Sequence, residues 1–235
     1  MGNTSIQIAG VADRHIDVLF ETRSRLPLEA LPGFPAIPAY VASVNADLLP
    51  PLLTELERVT GHPPLLIGRD LQVPLRHAYE TPATLGQDRL LAALAANREF
   101  PEGAIVLDAG SALTVDWVDD TGLFRGGAIA PGPAALMGTL KEAAAGLEWG
   151  GLNPEACWPG VTSAESCTAG LTATLRGQVR ELLRWAREEA GSSPPLVLTG
   201  GAAATLAALV PEAAFVRRPH LVLEGIAIAA SVGHE

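Results

Sequence analysis

The pattern of apolar and polar positions predicts two β-rich blocks in this chain. They are separated by a long stretch of helical patterns and shorter apolar runs. Near the N-terminus, the runs 5–8 and 16–20 predict the two strands of a hairpin. A second block covers 104–129, where turn signals at 109–111 and 119–122 separate three predicted strands. Shorter apolar runs predict further strands at 40–44, 65–67 and 196–198.

Helical patterns fill much of the remaining chain. Apolar residues at helical spacing, or in runs rich in alanine and leucine, predict helices at 52–60, 89–97, 134–145, 164–189, 202–209 and 223–232. Gly61 follows the first of these helices and predicts its C-terminal cap. Strands and helices that alternate in this way are typical of an α/β protein.

The two β-rich blocks also resemble each other. Residues 1–6 and residues 109–114 both place a glycine and a polar residue between apolar segments. A repeat of this kind suggests two similar α/β halves with a cleft between them. We therefore predict an N-terminal half of residues 1–103 and a C-terminal half of residues 104–235.

Composition narrows the class of protein. The chain has 235 residues, of which 48% are hydrophobic and 18% charged, so it has ample material for a core. Its 16 basic and 26 acidic residues give a net charge of −10, which argues against nucleic acid as a partner. Two cysteines, Cys157 and Cys167, make no disulfide framework and favour the reducing cytoplasm.

Several kinds of segment and site are not expected. Residues 1–4 lack the basic and apolar regions of a signal peptide, and prolines and glycines interrupt the uncharged stretch 190–211, so no membrane partner is predicted. Lys141 is the only lysine, and no glycine-rich loop precedes it, which excludes a P-loop. The five histidines show no metal-ligand spacing.

Three segments, taken in order, resemble a known family. They are 79–89 with Gly86-Gln87-Asp88-Arg89, 107–116 with Asp108-Ala109-Gly110-Ser111, and 126–132, which begins Gly-Gly and ends Pro-Gly. Together they are similar to the motifs of type III pantothenate kinases, members of the acetate-kinase, sugar-kinase and actin superfamily. Residues 2–4, 198–201 and 219–225 extend this resemblance over nearly the whole chain.

The resemblance implies a fold and a reaction. The fold would be two RNase-H-like halves, as in actin-like ATPases, and the protein would be a homodimer with its substrate site near the dimer interface. The reaction would move the γ-phosphoryl group of ATP to the terminal hydroxyl of pantothenate, the first step towards coenzyme A. The implied cofactors are ATP, Mg²⁺ and a monovalent cation, K⁺ or NH₄⁺.

The resemblance also implies roles for particular residues. Asp88 would be the general base, and Asp108 would bind the monovalent cation. The residues that would bind pantothenate are Tyr79, Gly86, Gln87, Asp88, Arg89 and Ser163. The residues that would bind ATP are Gly2, Asn3, Thr4 and Ser111.

Local pattern alone leaves simpler interpretations open. Asp88 is a good N-cap for the helix that follows, and Thr162 or Ser163 is a good N-cap for the next long helix. Arg89 would then be an exposed arginine of a first helical turn, and Tyr79 an ordinary half-buried tyrosine. Asp108 would accept hydrogen bonds from the turn that follows it.

The chain departs from the family pattern at its first phosphate loop. By this resemblance, the loop's aspartate would fall just before Met1, and the first strand of the N-terminal half would be truncated. The replacements elsewhere are Gln7 for lysine, Gln87 for alanine, and Ser111 and Ser163 for threonine. One hypothesis is a natural start a few codons earlier. Two other functions stay open: a non-catalytic homologue that binds nucleotide or a protein partner in a regulatory role, and a kinase for another small hydroxylated acceptor.

Overall fold

The computed structural model describes residues 5–12, 15–23, 37–43, 45–144, 146–147 and 150–233. The chain divides into two compact units, residues 1–99 with 220–235 and residues 100–219. The first unit contains β1 (Ser5–Ala12), β2 (His15–Arg23), β3 (Tyr40–Val41), α1 (Leu49–Thr60), β4 (Leu65–Leu66), β5 (Arg76–His77), α2 (Gln87–Glu99) and α6 (Leu221–Val232). The second contains β6 (Ala104–Ala109), β7 (Ala112–Val118), β8 (Leu123–Pro131), α3 (Pro133–Ala143), α4 (Ser163–Ala190), β9 (Leu196–Thr199), α5 (Ala203–Leu209) and β10 (Val216–Arg217).

The first unit begins with the predicted hairpin. β1 and β2 are antiparallel, and β3 lies parallel to β4. α1 starts at Leu49, three residues before its predicted start, because proline is well tolerated in the first helical turn. It ends where predicted: Gly61 has φ 73°, and its N–H donates to the Glu57 carbonyl at 2.9 Å.

The second unit is built on a sheet whose strands follow the order β10-β9-β6-β7-β8. β6, β7 and β8 form an antiparallel meander, and β9 and β10 run parallel to β6. Alternate residues of the strands, such as Leu107, Leu113 and Leu198, face a fully apolar core. The helices α4 and α5 cover this face through Leu175, Val179, Leu183, Ala203, Leu206 and Leu209. The predicted α/β class is confirmed, since helices flank the sheet.

The last helix returns to the first unit. α6 packs on α2, and Gly225 lies directly against the Leu91 backbone. α2 is buried from Arg89 to Ala96. None of the helices in the described ranges combines the length and the apolar composition that a membrane crossing requires.

The turn between β7 and β8 is held by a buried carboxylate. Asp119 is 5% exposed and accepts hydrogen bonds from the Thr121 N–H and hydroxyl, from the Leu123 N–H and from Arg125 Nε. Burial raises the pKa of Asp119, but the hydrogen bonds from Thr121, Leu123 and Arg125 outweigh burial, and the pKa falls from 3.8 to about 2. The ionised carboxylate therefore stabilises the folded state.

We expect Asp119→Asn to lower the free energy of unfolding at pH 7 by about 2 kcal/mol, the equivalent of this pKa shift. Because the folded-state pKa lies below the unfolded value, the charge contributes fully above pH 3.8 and is lost as the pH falls through about 2. Urea unfolding of native and variant proteins at several pH values measures this difference. Asp120→Asn, at the exposed neighbouring position, is the control. If the difference in free energy of unfolding between the native protein and Asp119→Asn stayed constant down to pH 2, the stabilising role of the Asp119 charge would be contradicted.

Candidate functional site

The first group of predicted site residues lies at the N-terminus of α2. The Leu90 N–H donates to the Gly86 carbonyl at 3.3 Å, which makes Gly86 the N-cap residue. Gln87 is the first helical residue, and Asp88 follows it within the first turn. The interpretation of Asp88 as N-cap is therefore wrong, although its carboxylate still lies at the helix start.

The Asp88 carboxylate is held close to the backbone. Its Oδ1 accepts a hydrogen bond from the Arg89 N–H at 2.9 Å, and the side chain is half-buried. A Cβ atom at Gly86 would lie 2.6 Å from the same oxygen, so glycine is needed there for this carboxylate position.

Arg89 is buried, with only 6% of its surface exposed. Its Nη1 donates to the Tyr79 hydroxyl at 2.9 Å, and its guanidinium carbon lies 5.6 Å from the centre of the Tyr79 ring. The interpretation of Arg89 as an exposed first-turn arginine is wrong. The structure thus brings Tyr79 and Arg89 together at the end of α2 that carries Asp88.

The second group lies where β6 ends. Asp108 is half-buried, and its register partners are Thr114 on β7 and Thr199 on β9. Gly200, with φ 92°, packs on this strand end so closely that a Cβ atom there would overlap Asp108 Oδ1 and lie 2.7 Å from the Ala109 nitrogen. The Ala202 N–H donates to the Ala109 carbonyl at 2.8 Å. These contacts hold the loop after β9 against the end of β6.

Ser111 is exposed in the turn between β6 and β7, and glycines surround that turn. The Gly132 N–H donates to the Ser111 carbonyl at 3.1 Å, and a Cβ atom at Gly132 would lie 2.7 Å from that oxygen. A Cβ atom at Gly200 would likewise meet the Ala109 backbone, so glycines allow this region to pack closely. The exposed Ser111 carries a hydroxyl that can donate a hydrogen bond to an oxygen, so this residue fits a nucleotide phosphate.

Asp108 offers a carboxylate oxygen of the kind that hard cations prefer. Within the described ranges, no group of three or more histidine, cysteine, aspartate or glutamate side chains could hold a metal ion. A divalent ion used with the nucleotide would then take most of its ligands from phosphate and water, as Mg²⁺ commonly does. Asp108 therefore fits a bound monovalent cation, and the site as a whole fits a divalent ion that binds mainly through the nucleotide.

The α4 start is a capping box. Thr162 Oγ1 accepts from the Glu165 N–H at 3.2 Å, and Glu165 Oε2 accepts from the Thr162 N–H at 3.2 Å. Thr162 is therefore the N-cap, as local pattern favoured, and Ser163 is the exposed first helical residue. Gly2, Asn3 and Thr4 lie outside the described residues.

Sequence reasoning missed Gly68. A Cβ atom at Gly68 would lie 2.9 Å from Gln87 Cδ, and its φ is 89°. The only signal was a lone glycine directly after the short apolar run 65–67, which indicates a tight turn but not its neighbour.

The described elements define a mixed α/β protein in which helices flank a sheet. A conserved Baf family protein from Campylobacter jejuni has a similar solved structure, with a TM-score of 0.66 at 18% sequence identity over 99% of this chain and 96% of that one. At that identity the likeness concerns the fold alone.

Sequence comparison then assigns the family. The model for type III pantothenate kinases matches residues 1–185. A type III pantothenate kinase from Desulfovibrio desulfuricans is 34% identical over 96% of this chain and 92% of its own length. Another from Azotobacter vinelandii is 36% identical over 67% of this chain and 64% of its own length. The chain belongs to the type III pantothenate kinase family.

Proposed function

We propose that this protein phosphorylates pantothenate with ATP to give 4′-phosphopantothenate, the first step of coenzyme A biosynthesis. The observation that carries the proposal is the start of α2. There the Asp88 carboxylate lies beside the buried Arg89–Tyr79 pair, in a chain that belongs to this kinase family.

Asp88 is the general base in this proposal. Its carboxylate takes the proton of the pantothenate hydroxyl, while the hydroxyl oxygen bonds to the γ-phosphorus and the bond from that phosphorus to the β–γ bridging oxygen breaks, releasing ADP. Arg89 binds the polar end of the substrate, and Tyr79 lines the same pocket. Gly86 and Ser163 complete the substrate residues.

The nucleotide side works without a P-loop lysine, since Lys141 is the only lysine and no glycine-rich loop precedes it. Ser111 contributes its hydroxyl to an ATP phosphate, with Gly2, Asn3 and Thr4 as the other ATP-binding residues. Asp108 binds K⁺ or NH₄⁺. Mg²⁺, when bound with the nucleotide, supplies positive charge that offsets charge on the phosphoryl oxygens. The protein's own contribution is to hold both substrates in line.

The proposed assembly is a homodimer in the cytoplasm. A groove of about 540 Å³ lies between α3 and α4, with an almost wholly apolar lining that includes Leu136, Leu140 and Leu171. Close by, the chain that leads into α4 exposes Trp158 (91%) and Val161 (82%). An apolar groove beside exposed apolar side chains suits a second copy of the same surface. The net charge of −10 supports the absence of a nucleic-acid partner.

The test is ADP formation from ATP with pantothenate, Mg²⁺ and K⁺, confirmed by mass spectrometry of the phosphorylated product. We expect turnover that depends on pantothenate. A panel of other small hydroxylated acceptors distinguishes this kinase from one with a different substrate. The same assay on a chain extended by an apolar strand ending in aspartate tests the first phosphate loop. Folded protein that is silent in both forms with every acceptor would contradict the proposal.

A further inference from the structure

We propose that Gln87 is a positioning residue that acts through Asp88 and Arg89 by packing on Gly68, and that it makes no direct contact with the substrate. The inference deepens the proposed function and rests on it. It concerns two residues that lie far apart in the sequence and meet in the first unit. The contact between them, which we call the 68–87 clasp, consists of the Gln87 side chain and the Gly68 backbone.

The clasp is defined by close distances. The Gln87 Cγ, Cδ and Oε1 atoms lie 3.1, 2.9 and 3.1 Å from the Cβ position of Gly68, so this side chain occupies the space that any residue other than glycine would need. The other end of the amide, Nε2, lies 3.5 Å from the Leu85 carbonyl, at the limit of a hydrogen bond. Both ends of the amide therefore face main chain.

The loop that receives Gln87 is itself braced. The Gly68 N–H donates to the Leu71 carbonyl at 2.7 Å, and Gln72 Nε2 donates to the Gly68 carbonyl at 3.2 Å. Asp70 Oδ2 accepts from the Leu66 N–H at 2.9 Å, and Ile67 is only 3% exposed. These bonds give Gln87 a fixed surface to pack against.

Gln87 is the first residue of α2 and directly precedes Asp88. Fixing its side chain against Gly68 fixes the first helical turn, and with it the direction of the Asp88 carboxylate and the Arg89 guanidinium. Misplacing a catalytic group by about 1 Å can cost about 10²-fold in rate. The clasp should therefore affect the rate of phosphoryl transfer more than substrate affinity.

The kinetic test compares Gln87→Ala with Gln87→Met, which keeps the length of the side chain but removes its amide. We expect Gln87→Ala to lower kcat about tenfold with a nearly unchanged KM for pantothenate, and Gln87→Met to stay within about threefold of the native kcat. If Gln87 instead binds the substrate, both variants raise KM to a similar extent and the proposal fails.

Gly68→Ala tests the other side of the clasp. We expect it to lower kcat because its methyl group displaces Gln87, and the double variant with Gln87→Ala to be no slower than the worse single one. The matched control is Gly61→Ala, since Gly61 has a similar φ of 73° but nothing within 4 Å of its Cβ position. Gly61→Ala introduces backbone strain of the same kind without displacing a neighbouring side chain, so it should leave kcat unchanged. Additive losses in the double variant would overturn the clasp.

A readout without catalysis separates this inference from the proposed function. Amide hydrogen exchange of the folded, ligand-free protein should accelerate at residues 66–71 and 85–90 in Gln87→Ala, and far less in Gln87→Met. This result holds even if the native protein does not phosphorylate pantothenate, in which case only the proposed function fails. Unchanged exchange in Gln87→Ala would overturn the clasp whatever the activity.

Discussion

Replacing Asp88 with asparagine should lower kcat for pantothenate phosphorylation by about 10²–10⁴-fold, the usual contribution of a general base. The asparagine amide has the same shape and keeps an oxygen that can accept the Arg89 N–H, so the start of α2 should be preserved. It cannot take a proton from the substrate hydroxyl. The KM for pantothenate should change much less than kcat, because the loss falls on the transition state.

The measurement is steady-state ADP release over a range of pantothenate concentrations. Asp47→Asn, at an exposed position of the same unit, controls for the loss of one negative charge and should behave as the native protein does. Thermal unfolding of each variant checks that the fold is retained. An Asp88→Asn enzyme within a few-fold of native kcat would reduce Asp88 to a stabilising residue of the first helical turn.

The second large effect concerns the packing of α6 on α2. Gly225→Ala should lower the free energy of unfolding by about 3 kcal/mol, at the upper end of the usual cost of overpacking. The new Cβ atom would overlap the Leu91 carbonyl oxygen and lie 2.6 Å from its carbonyl carbon. Backbone cannot rotate away as a side chain can, so the two helices must separate.

The matched control, Gly177→Ala, should change the free energy of unfolding in the opposite direction. Gly177, in the middle of α4, has nothing within 4 Å of its Cβ position, and Gly177→Ala should stabilise the protein by up to about 1 kcal/mol through helix propensity. Urea unfolding of both variants measures the two effects under the same conditions. A Gly225→Ala protein as stable as the native one would mean that α6 does not pack on α2 in this way.

The sequence determined the helices, most of the strands and their order, but it did not predict the two-residue strands β5 and β10. Period-2 and helical patterns, together with Gly61 after α1 and the turn signals around β7, act over a few residues, and the structure has the elements within a few positions of their predicted bounds. The ordered motifs also predicted the family and identified Asp88, Arg89 and Asp108 as candidate site residues. This was possible because the order and spacing of glycines and acidic residues can be compared along the sequence alone.

Only the tertiary structure decided which residues meet. The burial of Arg89 against Tyr79, the Gly68–Gln87 contact, the approach of Gly200 to Asp108 and the return of α6 to the first unit all join residues that are distant in sequence. The type of a residue indicates how often it is buried, but not which residues it packs against. In the same way, a glycine in the sequence does not reveal which neighbour leaves no room for a side chain. The sequence by itself therefore determined the elements and the family, while packing in three dimensions decided the environment of each site residue.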